Sequence, residues 1–211
     1  GYELLVISGE EGVEGMRRLT ESALCDGILV MDVLDHDPRV DAARESQIPS
    51  VFIGLSHDAD DVVATDTDFE AIGSGCAQRL HDAGHRRALV ISPASEHVRP
   101  MGFIHRFAQA LGDRACALGL ALDSMEVARD FSSMQKALTA HLADDGPADA
   151  FIAAPATSMD DAINALMAGG LVPGADVSVI GAGGSGDSPH TSVDCTHYDS
   201  DVPRVAATAV G

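Results

Sequence analysis

Residues 69–91 read FEAIGSGCAQRLHDAGHRRALVI, and this stretch decides the fold. Phe69 to Ala83 predicts a helix, and Gly84 past its end accepts the left-handed conformation that closes many helices. Ala88-Leu89-Val90-Ile91 follows as an uninterrupted apolar run of strand length. A strand without polar alternation is buried on both faces, as in a parallel sheet covered by helices on either side. The same alternation recurs in both directions from this unit. Upstream, Leu4 to Ile7, Gly27 to Met31 and Ile48 to Gly54 predict strands, the second of them buried. Pro49 stands at the entry of the third, where a missing N–H is tolerable. Val13, Met16, Leu19, Ala23 and Leu24 fall on one helix face, and Val40 to Arg44 suggests a short helix. Downstream, Phe107 to Leu118 predicts a helix closed by Gly119, and Ser132 or Ser133 is placed to cap another running to about Leu142. Ala150 to Ala154 then reads as a strand, Asp160 to Ala168 as a helix, and Val177 to Ile180 as a strand. Val202 to Val210 is a last helix with Pro203 in its first turn.

Short apolar strands alternating with helices give an α/β class with parallel sheets and right-handed crossovers. The polar stretch Ser56 to Asp68 separates two such successions and implies two lobes. Hydrophobic residues make up 45% of the 211, enough to bury a sizeable core. No apolar run approaches the roughly 20 residues of a membrane span, and no charged-then-apolar leader opens the sequence. A soluble, cytoplasmic chain with no membrane partner is expected. The net charge of −20 repels phosphate backbones, so these residues are not expected to bind nucleic acid themselves. Cys25, Cys76, Cys116 and Cys195 form no C-x-x-C pair and read as reduced, mostly buried thiols.

Few residues suggest chemistry. Gly181, Gly183 and Gly186 make a G-x-G-x-x-G after a strand. Ser188-Pro189-His190-Thr191 does not continue as the helix a dinucleotide site needs, so a loop lining a ligand pocket is the better reading. His81 and His85 are four apart, but Gly84 interrupts their helix and no third metal ligand is implied. His85 reads as a structural hydrogen-bonding residue. Ser8, Ser92, Ser158 and Ser185 lack the G-x-S-x-G elbow. No catalytic constellation, metal site or cofactor motif results, and an enzyme is not expected.

Five segments in order carry a resemblance. Asp26-Gly27-Ile28-Leu29-Val30 is similar to a "DGII" strand, and Ile48 to Ile53 to "IPVVxID". Val63 to Asp68, with Leu80 and Gly84-His85-Arg86-Arg87, is similar to "VxxDN…HL…GHRRI". Val172-Pro173 with Val177 to Gly181 is similar to "VP.DVSVIGFDD", and Thr191-Ser192-Val193 to "PLTTV". Together they resemble the effector-binding domain of LacI/GalR-type transcription regulators across nearly the whole chain. The resemblance implies two doubly wound lobes with an interlobe cleft, of the type I periplasmic-binding-protein kind and truncated at both ends. Residues 1–66 plus 195–211 would form a partial N-terminal lobe and 67–194 the C-terminal lobe, with crossings near Asp66 and Cys195. It also implies a small-molecule effector, such as a sugar or related metabolite, and a homodimer. Operator DNA would be bound only through a helix-turn-helix head absent from the sequence. A periplasmic-type solute receptor of the same fold is the alternative.

The resemblance nominates the effector-binding residues. Arg99 matches the letters of the family's "R-x-x-GF", whereas Arg106 better matches its distance to Gly119; either guanidinium suits a carboxylate, phosphate or pair of hydroxyls. Asp66 matches "VxxD" by its preceding strand and Asp68 by its distance to Leu80, and one of them is placed to cap the next helix. The family's "ND" falls on Pro155-Ala156, and the first acid of its "GFDD" falls on Gly183. These losses of polar groups at Ala156 and Gly183 make the implied pocket atypical for a sugar.

Overall fold

A computed structural model of the chain describes residues 3–7, 11–22, 24–57, 59–143, 148–183, 193 and 195–210. They divide into two compact units, Gly1–Thr67 with Val202–Gly211, and Asp68–Asp201.

In the first unit, β1 (Ile28–Val30), β2 (Ser50–Ile53) and β3 (Val63–Thr65) form a parallel sheet in the order β1-β2-β3. Residues paired across parallel strands share a face. Val30 therefore aligns with Phe52, and Phe52 with Ala64. That face meets α1 (Gly12–Ser22) and α2 (Arg39–Glu45), and its core gathers Met16, Val30, Val33, Val40, Ala42 and Phe52. The last helix, α7 (Val202–Val210), packs against β2 and β3 outside that core.

The second unit carries a five-stranded parallel sheet. Its strands are β4 (Arg87–Pro93), β5 (Ala121–Val127), β6 (Ala150–Ala153), β7 (Ser178–Ala182) and β8 (Thr196–Tyr198), in the order β5-β4-β6-β7-β8. Strand periodicity sorts its side chains to two faces. Ala88, Val90, Ile152 and Ile180 join the core beneath α3 (Phe69–Asp82) and α4 (Gly102–Leu118). Leu89, Ile91, Phe151 and Val179 join the core beneath α5 (Phe131–Leu142) and α6 (Met159–Ala168). Helices on both faces of a parallel sheet make this unit doubly wound. α3 and α4 lie very close at Gly73, where a Cβ would stand 2.5 Å from the Phe107 carbonyl oxygen.

The structure changes several sequence expectations. Leu4 to Ile7 is not in a strand; Leu4 and Val6 are 87% and 79% exposed, and a strand exists only where a neighbour completes its ladder. β1 is only half buried, because Leu29 on an edge strand lies 46% exposed. β3, β5 and β8 fall where no strand was read from periodicity. α4 begins at Gly102, not Phe107, so Arg106 lies inside the helix. Asp130 caps α5 by accepting from the Ser133 N–H; Ser132 and Ser133 lie within the helix. The second unit continues to Asp201 where residue 194 was expected as its limit, because β8 pairs with β7. Of the four thiols only Cys76 is buried; Cys116 is exposed, and Cys25 and Cys195 are intermediate. Burial without a compensating partner pushes the Cys76 thiol up to about 12.

Candidate functional site

All strands of the five-stranded sheet run the same way, so their carboxyl ends share one edge, where doubly wound sheets bind ligands. From this edge β4 leads to α4, β5 to α5 and β6 to α6, and the first turns of these helices stand there. α3 runs into β4, so its first turn lies at the same edge. Asp68 caps α3 through the Ala71 N–H at 2.8 Å. Ser158 caps α6 by accepting from the Asp161 N–H at 3.2 Å. Met101, at the start of α4, offers no side-chain cap, and no acid stands in that helix's first turn.

The charged focus of the edge is Arg106, one turn into α4. Its side chain is 17% exposed, and it donates through Nη1 to Glu70 at 3.2 Å. The guanidinium carbon lies 5.9 Å from the Phe69 ring centroid, within cation–π range. Phe69 in turn packs on Phe103, with ring centroids 5.1 Å apart. Close packing of α3 on α4 brings these residues together. Arg99 is placed differently. Its side chain is 60% exposed and pairs with Glu126 at 3.5 Å.

The start of the loop after β6 is small and apolar at Ala154, Pro155 and Ala156. Pro155 is buried and Ala156 is exposed with φ +63°, a left-handed backbone that Asn, Asp or Gly normally occupies. Gly183 has φ +124° and open space where a Cβ would be. An acid there would be strained, so the backbone itself has adapted to glycine. Thr157 donates its hydroxyl to the Ile91 carbonyl at 3.1 Å. A concavity lined by Pro93, Val127, Arg129, Thr157, Ser158 and Asp161 has a free volume of about 10 Å³, room for about one water molecule. Gly184 to Thr191, including Gly186 of the glycine motif, lie outside the described residues.

At the carboxyl edge of the three-stranded sheet, Asp66 follows β3. It accepts from the Leu55 and Thr67 N–H groups at 3.2 and 2.8 Å. Sequence reasoning missed the neighbouring Asp37, which is 6% exposed. Burial pushes its carboxyl up. Hydrogen bonds from the Arg39 side chain and from the Leu34 and Arg39 N–H groups outweigh that and hold it below the usual carboxylate range. Arg39 grips both Asp37 oxygens and also donates to the Asp32 carbonyl.

The opposite, amino edge of the five-stranded sheet carries a second unforeseen arrangement. His85 Nδ1 lies 2.9 Å from Asp149 and its Nε2 lies 2.8 Å from the Ser178 hydroxyl. This Asp–His–Ser order matches a hydrolytic triad only formally. The Ser178 N–H, which an oxyanion hole would use, donates to the Asp149 carbonyl at 2.9 Å. The three residues clip together the starts of β4, β6 and β7, the structural role read for His85 from sequence. With both His85 nitrogens so engaged, it does not converge with His81 on a metal. Among the described residues no cluster of metal-ligating side chains occurs, and no helix is long and apolar enough to cross a membrane.

The family model of the periplasmic binding protein-like domain matches residues 77–211, more than half of the sequence. The chain belongs to this family. Comparison with curated proteins gives no match. Solved structures extend the likeness of the domain beyond the matched residues. An uncharacterized protein from Actinobacillus succinogenes is 21% identical with a TM-score of 0.81, over 100% of this chain and 77% of its own. A LacI family transcriptional regulator from Bifidobacterium animalis subsp. lactis is 16% identical with a TM-score of 0.79, over 92% and 70%. A LacI family transcription regulator from Clostridium acetobutylicum is 10% identical with a TM-score of 0.74, over 88% and 68%. At these identities the likeness establishes the fold. It bears out the α/β, parallel-sheet, periplasmic-binding-protein-like class expected from the sequence.

Proposed function

We propose that the chain is the effector-sensing domain of a LacI-type transcription regulator, acting by binding and not by turnover. A small molecule engages groups at the carboxyl edge of the five-stranded sheet, and its differential affinity for two states of the regulator sets the affinity of a DNA-binding head for its operator. The observation that carries this reading is the Arg106–Glu70–Phe69 cluster at the carboxyl edge of a periplasmic binding protein-like fold. The ordered sequence motifs and the LacI-family names of similar structures support the regulatory context. Arg106 is the preferred effector contact. Asp66, Arg99, Ala156 and Gly183 are secondary candidates, and Asp68 is chiefly a helix cap. The reading places the regulator in the cytoplasm as a homodimer, the symmetry that paired operator half-sites match.

The test has two parts. A metabolite screen by thermal shift finds the effector, since ligand at about 100 times its Kd adds about 2.7 kcal/mol of stability. Fluorescence anisotropy with operator DNA and the intact regulator then measures the coupling. Effector should change operator affinity by roughly 5- to 150-fold, while the 211-residue chain alone binds no DNA. An intact protein without DNA affinity sinks this reading and leaves a periplasmic-type solute receptor of the same fold.

A further inference from the structure

We propose that His36 and His57 together chelate a late first-row divalent ion, of the class of Zn2+, Ni2+ or Cu2+, at the carboxyl edge of the three-stranded sheet. His36 lies in the loop after β1 and His57 in the loop after β2. Both are exposed. Their ring centroids are 5.4 Å apart and the ring planes cross at 65°, so the rings meet at an edge and do not stack. Two imidazoles sharing one tetrahedral ion, each nitrogen about 2.0–2.1 Å from it, have ring centres about 5 Å apart. Rotation of these exposed side chains, with the loops in place, therefore brings a nitrogen of each onto one ion. The Asp35 carboxylate stands 3.7 Å from His36 Nε2. An acceptor beside one ring nitrogen leaves Nδ1 as the donor, as ligating histidines are commonly arranged.

The backbone fixes the two loops against each other. The His57 N–H donates to the Asp35 carbonyl at 2.7 Å, and the Ser56 hydroxyl donates to the same carbonyl at 3.0 Å. The Ser56 oxygen in turn accepts from the Asp37 N–H at 3.0 Å. Asp37 is itself buried in the fork of Arg39. Residues on both sides of His36 are thus held before an ion arrives, and a preorganised chelate loses little freedom on binding. Imidazole nitrogen suits late transition ions, whereas Mg2+ and Ca2+ take oxygen ligands. The net charge of −20 draws cations of either kind to the surface, so the nitrogens, not the charge, set the preference. Among the described residues no group of three or more His, Cys, Asp or Glu side chains comes together to hold an ion. The chelate therefore has two protein donors and leaves its other positions to solvent.

Isothermal titration of the chain with Ni2+ alone, in a buffer that does not chelate it, tests the pair. His36→Asn and His57→Asn should each weaken binding at least about tenfold, since loss of even an outer-shell partner typically costs that much. The double variant should bind no Ni2+ at this edge. His197→Asn removes another exposed histidine, on β8, and should leave the affinity unchanged. Mg2+ and Ca2+ at the same concentration should not compete with Ni2+. A second arm needs no variant. Ni2+ is paramagnetic, and in nuclear magnetic resonance spectra it should broaden the ring signals of His36 and His57 at concentrations that leave those of His85 and His197 sharp. A parent chain that binds no Ni2+, an affinity that either single substitution leaves undiminished, or broadening centred on other histidines overturns the proposal. Effector sensing is judged separately, by operator affinity, and does not depend on this result.

Discussion

The carboxyl edges of the two sheets solve opposite problems with their polar groups. At the three-stranded sheet the charged residues serve the scaffold. Asp37 is buried in the fork of Arg39, and Asp66 ties down the Leu55 and Thr67 N–H groups. At the five-stranded sheet the loop after β6 is apolar at Ala154, Pro155 and Ala156, and the Arg106 guanidinium is held near the Phe69 ring beside a half-exposed glutamate. Both edges follow parallel strands, so topology alone does not distinguish them. What differs is whether the acid is held by backbone N–H groups, as at Asp37 and Asp66, or by a partly exposed side-chain pair, as at Glu70 and Arg106. An acidic residue at such an edge is therefore not evidence of a ligand contact until its hydrogen bonds have been counted.

The strongest way to break this contrast is Asp37→Asn. Removing one member of a buried pair costs about 3–5 kcal/mol, because its partner's charge stays behind. Hydrogen exchange should show the loss across residues 28–67 with no change in effector affinity at Arg106. The acid limb of stability should change as well. Asp37 is held below its ordinary range when folded, so the folded state binds its proton less readily than the unfolded chain. Its stabilisation is complete above the unfolded carboxylate pKa of about 3.9 and is lost as pH falls through the lower folded value. The Asn variant should lack that contribution, giving a flatter stability profile below about pH 4. A ligand-affinity change as large as the stability loss would mean that the scaffold assignment of Asp37 is wrong.

Gly73→Ala comes next. Its Cβ would meet the Phe107 carbonyl oxygen at 2.5 Å and the Leu111 nitrogen at 3.0 Å, both backbone atoms that move only if α3 and α4 separate. Overpacking of this kind costs about 1–3 kcal/mol. Since the two helices together position Phe69, Glu70 and Arg106, weaker effector binding should accompany the lower melting temperature. Stability loss with unchanged binding would show that the site does not depend on the helix contact.

Dependence on partners remote in sequence also explains what was legible in the sequence. Central strands β2, β4, β6 and β7 lie between neighbours, and their apolar runs announced them. β3, β5 and β8 are edge strands. One side of each faces no neighbour, so sequences such as ALDSMEV and THY carry polar residues and no continuous run. The helices were legible by their 3.6-residue period, although α4 starts without a cap to mark it. The candidate site was half legible. Arg99 fits by its letters and Arg106 by its distance to Gly119, and their surroundings come from Glu126 and Glu70, acids remote in sequence. The Asp149–His85–Ser178 clip and the Asp37–Arg39 pair depend in the same way on geometry that only the folded sheet supplies.

The smallest effect sharpens the comparison at one backbone conformation. Asp32 follows β1 with φ +51°, and Ala156 follows β6 with φ +63°. Both occupy left-handed turns at a carboxyl edge, one with a residue that tolerates the conformation and one without. Ala156→Asn should relieve the strain and raise stability by about 0.5 kcal/mol. Ala156→Gly should be nearly neutral, because the unfolded chain regains the freedom that the folded turn gives up. Asp32→Ala should cost a comparable amount at the other sheet. Differential scanning calorimetry on the three variants resolves differences of this size when they are run side by side. Ala156 is exposed, so the asparagine amide would also add a hydrogen-bonding group to this turn. Glucose or galactose binding gained by Ala156→Asn, but not by Ala156→Gly, would tie the missing polar side chain to ligand class. Equal behaviour of the two variants would leave backbone strain as the only property that distinguishes this turn.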